Sequence, residues 1–380
     1  MKLVWAEIDL NAIAHNVREL KRIIRPEVRF MAVVKANAYG HGDVEVTREV
    51  LKNGADFLAV ARLDEGIQLR KAGFDAPILI FGYTPPTHAK DLIEFNLIQT
   101  VYSYETAEIL SRSAAALGKK ITVHLKIDTG MGRLGMVVSQ PGRTYANQQL
   151  ITEIRAILSL RGLKTEGIFT HFVASDSSDK SFSEKQFEIF SSFLNELRLA
   201  GMDIPIKHAA NSGAIIDMPE THLDMVRPGI SLYGLYPSHE VDKTRIALKP
   251  AMMLKAKVVH LKKVPAGFNV SYGMTYETKR PTTIATVPIG YADGLSRLLS
   301  SQGDMLVRGC RAPIAGRVCM DMTMLDVGHI PEVGMEDEVV IFGKQGHSSI
   351  MADDIASVLN TINYEIVSAI SERVPRIYLR

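Results

Sequence analysis

The chain has 380 residues, 46% of them hydrophobic, and its 44 basic and 42 acidic residues give a formal net charge of +2. That length predicts two domains, and the balanced charge, without any basic block, argues against a nucleic-acid or anionic-membrane partner. No membrane-length apolar run or signal-peptide core is present, and Cys310 and Cys319 form neither a disulfide framework nor a metal-ligand spacing, so a soluble cytoplasmic enzyme is expected.

Residues 1–240 alternate between strand-like and helix-like segments. Apolar runs bounded by turn residues predict strands at Arg29–Lys35, Ala55–Val60, Pro77–Phe81, Ile98–Val101, Ile121–Asp128, Gly167–His171, Ile206–Asn211 and Asp224–Gly229. Stretches of helical period lie between them, as at Asp43–Asn53, Glu105–Leu117 and Ser183–Ala200. Eight such units predict an α/β fold, a parallel (β/α)8 TIM-like barrel. The alternative is an open doubly wound sheet, although no G-x-G-x-x-G follows the first strand.

From residue 241 onwards the pattern is mostly β. Strands are predicted at Lys255–Val264, Thr282–Pro288, Asp304–Val307 and Glu338–Phe342, and one helix at Ala352–Arg373. We therefore expect a barrel over residues 1–240 and a β domain over residues 241–380. For residues 1–9 a second assignment stays open, in which they belong to the β domain.

Unusual polar residues follow the barrel strands, where parallel barrels place their active sites. They are Lys35, Lys126, Asp128, Arg133, His171, Asn211, Ser212, Arg227 and Gly229. Each has a structural explanation by itself, such as a snorkelling lysine or a turn aspartate, but their joint placement indicates one site. A hydroxyl and a backbone amide at Ser212 and Gly229 suit a phosphate, and a lysine able to form a Schiff base then indicates pyridoxal phosphate (PLP). No group with metal-ligand spacing competes for this position.

Eight segments, in order along nearly the whole chain, resemble the bacterial alanine racemases: VKANAYGHG, HLKIDTGMGRLG, HAANS, MVRPGISLYG, VSYGMTY, PIGYADG, GRVCMD and TINYEI. The resemblance implies an isomerase that interconverts L-alanine and D-alanine by two-base proton transfer on the external aldimine of PLP, supplying D-alanine for peptidoglycan. It also implies a cytoplasmic homodimer with shared active sites.

The resemblance implies a role for each matching residue. Lys35 would carry the cofactor and act as one base, and Tyr272 of the partner subunit would be the other. The cofactor contacts would be Lys35, Tyr39, His171, Ser212, Arg227, Gly229, Ile230 and Tyr364, and the substrate contacts Arg133, Met320 and Tyr291. Asp176 and Arg297 match residues that line the access channel.

Two of the matching residues have further chemical consequences. Arg227 would donate to the pyridine nitrogen without protonating it, so we expect a short-lived carbanion and little transamination. Lys126 matches a lysine that carries a carbamate (N6-carboxylysine) in many family members, where it braces the equivalent of Arg133. An unmodified lysine paired with Asp128, or a bound chloride, is the alternative.

Three other classes of protein share part of this pattern. A PLP homeostasis protein shares the barrel but has no domain bearing Tyr272. A basic-amino-acid decarboxylase of this fold would have a carboxylate where Arg227 stands. A serine or broad-specificity small amino-acid racemase of the same family stays open, because Tyr364 narrows the pocket beside the substrate methyl but one side chain does not settle specificity.

Overall fold

The computed structural model describes residues 2–138 and 144–380, and the chain folds as two compact units. The barrel unit comprises Ile13–Ala38 and Asp43–Lys249, and the sheet unit comprises Met1–Ala12, Tyr39–Gly42 and Pro250–Arg380. Across the described ranges, no helix has the length and apolar character needed to cross a membrane.

The barrel unit is built on eight parallel strands. They are Arg29–Val33, Phe57–Val60, Ile78–Ile80, Ile98–Val101, Ile121–Asp128, Leu163–Phe169, Ile206–His208 and Met225–Val226. The eighth strand pairs with the first through Met225 opposite Arg29. The seventh and eighth are joined where the Arg227 N–H donates to the Ala210 carbonyl at 3.0 Å. The strands therefore close on themselves, which confirms the predicted barrel and excludes the open sheet.

Helices follow the strands and cover them. The helices with residues in this unit are Leu10–Arg22, Asp43–Lys52, Leu63–Lys71, Ala89–Glu94, Tyr104–Ala116, Thr144–Leu158, Ser181–Leu199 and Ser212–Asp217, with 3-10 turns at Pro86–His88, Pro219–Thr221 and Ile230–Tyr233. Every residue of the strand Ile98–Val101 is buried, as expected for a parallel strand covered on both faces. Helix Tyr104–Ala116 begins where the Ser103 hydroxyl accepts the Thr106 N–H, and it buries Ala107, Leu110 and Ala114 on one face.

The sheet unit is mostly β. Its strands are Val4–Asp9, Met252–Lys257, His260–Val264, Asn269–Val270, Tyr276–Glu277, Thr282–Val287, Asp304–Val307, Cys310–Pro313, Thr323–Asp326, Glu338–Gln345, Ser348–Ile350 and Arg376–Leu379. Its helices are Ala352–Leu359 and Asn363–Ser368, with 3-10 turns at Tyr272–Met274, Tyr291–Asp293 and Arg297–Leu299. The strand Val4–Asp9 lies between the antiparallel strand Met252–Lys257 and the parallel strand Arg376–Leu379.

Two elements of this unit were each predicted to be continuous, and the structure divides both of them. The segment Lys255–Val264 is divided between two sheets, because the Val258 N–H donates to Asp337 while the next residue's N–H donates to Thr286. The predicted helix Ala352–Arg373 is two helices, because Asn360 has a φ of 52° and ends the first one. The apolar period continues across Asn360, so periodicity alone does not reveal the break.

Candidate active site

Lys35 begins a left-handed turn and does not end the first strand, which stops at Val33. The φ angles of the four residues after it are 53° for Ala36, 53° for Asn37, 51° for Ala38 and 52° for Tyr39. None of the four is glycine, so at about 1–2 kcal/mol per residue the turn needs support from its surroundings. The Glu65 carboxylate accepts the Ala36 N–H at 2.6 Å, and the Tyr233 hydroxyl donates to the Val33 carbonyl at 2.8 Å.

Four basic side chains of the barrel unit are linked electrostatically through Lys126, because the charges of Arg133, Arg227 and Lys35 all lower its pKa. Burial and then Arg133 lower the pKa of the Lys35 amine. Lys126, on the strand Ile121–Asp128, is only 4% exposed. Burial, with Arg133 and Arg227 next in importance, lowers the pKa of Lys126 to about 8. Such a concentration of positive charge suits an anionic ligand.

The charge of Asp128 raises the pKa of Lys126, but burial, Arg133 and Arg227 outweigh it. The Asp128 carboxylate accepts the N–H groups of Gly130, Met131 and Gly132 at 2.9, 2.8 and 2.9 Å, and so closes the turn after the strand. Within the described ranges Lys126 forms no ion pair, and its Nζ lies 5.4 Å from the centroid of the Phe169 ring. The alternative in which Lys126 pairs with Asp128 is therefore not what the structure contains.

Arg227 is 3% exposed and makes a fixed network with histidines. Its guanidinium donates to the Thr170 and Ala209 carbonyls at 2.8 and 2.9 Å, and to the Nδ1 atom of His208 at 2.9 Å. It also lies 3.3 Å from the Nδ1 atom of His171. Burial lowers the pKa of Arg227 to about 9, which still leaves it a cation at neutral pH.

Because a guanidinium only donates, each of these imidazoles must accept at Nδ1 and carry its proton on Nε2. The His208 Nε2–H then donates to the Nδ1 atom of His124 at 2.9 Å. Burial, followed by the charge of Arg227, lowers the pKa of His171 and His208 well below the usual range, so both are neutral. His171 therefore presents an N–H group at Nε2 as a donor.

Of the predicted phosphate contacts, Gly229 lies against Ser212. The Ser212 hydroxyl accepts the N–H of Gly229 at 2.9 Å and that of Ser231 at 3.4 Å. Ile230 begins the 3-10 turn Ile230–Tyr233. The Ser231 hydroxyl is buried and has no hydrogen-bond partner among the described residues. The hydroxyls of Ser212 and Ser231 can still donate to a phosphate, whereas the Gly229 N–H already donates to Ser212.

The predicted site residues Tyr39, Tyr272, Tyr291, Met320 and Tyr364 belong to the sheet unit. The rings of Tyr39 and Tyr364 are 6.1 Å apart, and burial raises the pKa of the Tyr39 hydroxyl. Tyr272, on the turn Tyr272–Met274, is 71% exposed, and Met320 is 52% exposed.

Domain models of one family match both parts of the chain. The alanine racemase N-terminal domain matches residues 8–237, and the alanine racemase C-terminal domain matches residues 251–378. The chain belongs to the alanine racemase family. The resemblance found in the sequence is thus confirmed at the level of the family, and with it the enzyme class, an isomerase.

Relatives agree with this assignment over their full length. The chain is 57% identical to the alanine racemase of Desulfosudis oleivorans over 98% of this chain and 96% of the relative. It is 51% identical to that of Methanococcus maripaludis over 99% and 98%. Among solved structures, the alanine racemase of Bacillus anthracis with bound L-Ala-P is 39% identical, with a TM-score of 0.93 over 100% of this chain and 96% of that one.

Three residues of the candidate site were not predicted from the sequence. His124 and His208 lie inside the motifs HLKIDTGMGRLG and HAANS, where they precede the residues that drew attention. Glu65, which holds the Lys35 turn, lies in no recognised motif and had no sequence signal. Among the described residues, no group of three or more His, Cys, Asp or Glu could hold a metal.

Proposed function

We propose that the chain interconverts L-alanine and D-alanine with PLP as its cofactor. The observation that carries the proposal is the donor set of the barrel unit, which holds the basic side chains Lys35, Lys126, Arg133 and Arg227 and the hydroxyls of Ser212 and Ser231. That donor set fits an anionic cofactor with a phosphate group, and the family assignment fits PLP. When bound, PLP acts as an electron sink that acidifies the α-proton of the amino acid attached to it.

Lys35 is proposed to anchor the cofactor and then to act as a base on one face of the substrate. Both tasks need a neutral amine, and burial with the charge of Arg133 favours that form by lowering the pKa of Lys35. By the family likeness, Lys35 exchanges the proton of the D-substrate.

Tyr272 of the partner subunit is proposed as the base on the opposite face, exchanging the proton of the L-substrate. A phenol is a weak base at neutral pH and needs a donor that favours its phenolate. Arg227 fixes His171 with its proton on Nε2, so His171 can donate to that oxygen. The 71% exposure of Tyr272 in the single chain supports a role toward a second subunit.

The remaining contacts follow the same likeness. Ser212 and the amides of Gly229 and Ile230, with Tyr39 and Tyr364, are proposed to hold the phosphate. Arg227 would face the pyridine nitrogen as a donor, and His171 would pack on the ring. Arg133, the Met320 amide and Tyr291 would contact the substrate.

Lys126 is proposed to carry a carbamate that braces Arg133. A buried lysine without an ion pair, with a pKa of about 8, is the amine that this reaction needs. The carbamate would convert a cation into an anion beside Arg133 and Arg227, and so relieve their mutual repulsion.

We further propose a cytoplasmic homodimer with shared active sites that supplies D-alanine for peptidoglycan. Cys310 and Cys319 are both free thiols, which suits a reducing compartment. Domain bounds near residue 240 and a site completed by the partner subunit belong to the same proposal. Activity on serine is the alternative within the family, and the ratio of kcat/KM for alanine and serine decides it.

The first experiment is visible absorbance of the purified protein before and after borohydride, with peptide mapping of the reduced adduct. We expect a chromophore lost on reduction and a pyridoxyl group on Lys35. Lys35→Ala should take up no borohydride-stable label, whereas Lys164→Ala, at an exposed lysine of the barrel unit, should label like the wild type. Racemisation of alanine is then assayed from both enantiomers. A colourless protein that takes up no PLP would overturn the proposal.

A further inference from the structure

Two loops of the sheet unit carry the proposed substrate contacts and touch through their backbones. The tyrosine loop, residues 290–294, bears Tyr291, and the methionine loop, residues 319–322, bears Met320. The Tyr291 N–H donates to the Cys319 carbonyl at 3.1 Å, and the Ala292 N–H to the Met320 carbonyl at 3.0 Å. A Cβ atom at Gly290 would lie 2.3 Å from the Met320 carbonyl oxygen, so only glycine allows this approach.

Arg373 joins the same two loops through their side chains. Its Nε lies 2.9 Å from the Asp293 carboxylate of the tyrosine loop, and a terminal nitrogen donates to the Asp321 carboxylate of the methionine loop at 2.8 Å. The Asp293 side chain is only 5% exposed, and its second oxygen accepts the Gly290 N–H at 2.9 Å. One guanidinium therefore bridges the two loops in addition to their backbone contacts.

We propose that Arg373 is a positioning residue that fixes Met320 and Tyr291 for substrate binding, an inference that rests on the proposed function. The Met320 N–H donates to no group among the described residues, so it is available to an incoming carboxylate. Its direction depends on the conformation of the methionine loop, which Asp321 and Arg373 hold. Arg373 itself need not touch the substrate, cofactor or reacting atoms.

Substituting Arg373 should weaken substrate binding more than turnover. Lysine keeps the charge but cannot present two nitrogens to two carboxylates in fixed directions. Because a misplaced N–H loses most of a hydrogen bond to a charged group, KM for alanine should rise about tenfold in Arg373→Lys, with kcat kept within about twofold.

A milder variant guards against a folding defect. Asp321 is 54% exposed, so Asp321→Asn should fold normally, lose one side of the bridge and raise KM about threefold. Arg308→Lys is the matched control, since Arg308 also lies near two carboxylates of the sheet unit, those of Glu332 and Asp337, but contacts neither loop. The control should keep the wild-type KM. An unchanged KM in both Arg373→Lys and Asp321→Asn, or a loss confined to kcat, would overturn the inference.

Hybrid dimers separate this inference from the proposed shared site. A chain with Arg373→Lys is paired with a chain with Lys35→Ala, so that the one competent barrel receives intact loops from its partner, and KM should be normal. In the second hybrid, a wild-type chain is paired with a chain that carries both Arg373→Lys and Lys35→Ala. The dimer then contains the same two substitutions as the first hybrid, but the competent barrel receives altered loops, so KM should be raised.

Results that differ from this expectation have different meanings. The reverse pattern would show that the loops act within their own subunit, which overturns sharing but keeps the positioning role. Equal, normal KM values in both hybrids would overturn positioning by Arg373. As the test of sharing itself, a hybrid of Lys35→Ala and Tyr272→Phe chains should regain activity, and an inactive hybrid would refute the shared site.

Discussion

Lys126 should be far more reactive toward carbon dioxide than an ordinary lysine. Its pKa of about 8, against the ordinary 10.5, makes about one-tenth of the side chains neutral at pH 7 instead of about one in three thousand. Carbamate formation needs that neutral form, because the amine attacks CO2, forms an N–C bond and releases a proton. The availability of the amine thus rises about three-hundredfold.

The assay is 13C NMR of the purified protein in 13C-bicarbonate buffer near pH 7.5. We expect a carbamate signal that disappears in Lys126→Arg. Lys255→Arg is the matched control, since Lys255 is a part-buried lysine of the sheet unit with its Nζ 2.9 Å from Glu7 and 3.2 Å from Glu338. Burial alone would lower the pKa of Lys255, but those carboxylates outweigh it and raise the pKa, so the control should keep the full signal. A signal that persists in Lys126→Arg, or no signal in the wild type, would refute the reasoning.

Three further outcomes are expected. Burial lowers the pKa of His124 to about 3 and also lowers those of His171 and His208, so each is neutral in the folded chain and titrates near 6.5 only when unfolded. Stability should therefore fall in urea unfolding as the pH drops below 6.5. The share of His124 in that loss is about 1 kcal/mol between pH 6 and pH 5, and it should be absent in His124→Gln. Asn360→Ala should destabilise the chain by about 1 kcal/mol in the same experiment, whereas Asn360→Gly should not, because only the left-handed φ is at stake. Arg376 donates to the carbonyl of Gly40, next to Tyr39, and to three carbonyls of residues 370–374. Arg376→Lys should therefore weaken PLP binding about fivefold in titrations of the apoprotein. An unchanged affinity would count against a role for Tyr39.

The barrel could be predicted from the sequence, because its strands are apolar runs that are bounded by turn residues. The sequence was insufficient at the Lys35 turn, since Ala36, Ala38 and Tyr39 have no intrinsic preference for positive φ. What stabilises the turn includes Glu65, which is 29 positions away, and no local pattern predicts such a contact. The strand Val4–Asp9 escaped prediction for the same reason, because both of its partners are distant in the chain.

The candidate site was predicted in a similarly uneven way. Motifs indicated Lys35, Arg227 and Ser212, whose side chains carry recognisable chemistry at strand ends. The tautomers of the histidines could not be predicted, because they follow from which nitrogen faces Arg227 in the folded barrel. The roles of Tyr272, Met320 and Tyr291 rest on family likeness and stay predictions until the hybrids are tested.

The position of the strand Val4–Asp9 has a consequence for synthesis on the ribosome. Ala6 pairs with Arg376, so this strand leaves the ribosome 370 positions before one of its two neighbours exists. At about 5–20 residues per second it must wait about 20–70 s, while the barrel has time to fold. The strand carries Trp5, the only tryptophan of the chain, 8% exposed with its indole N–H donating to Glu7 at 2.9 Å. Tryptophan emission therefore times the docking of this strand in the sheet and carries no intrinsic signal from the barrel.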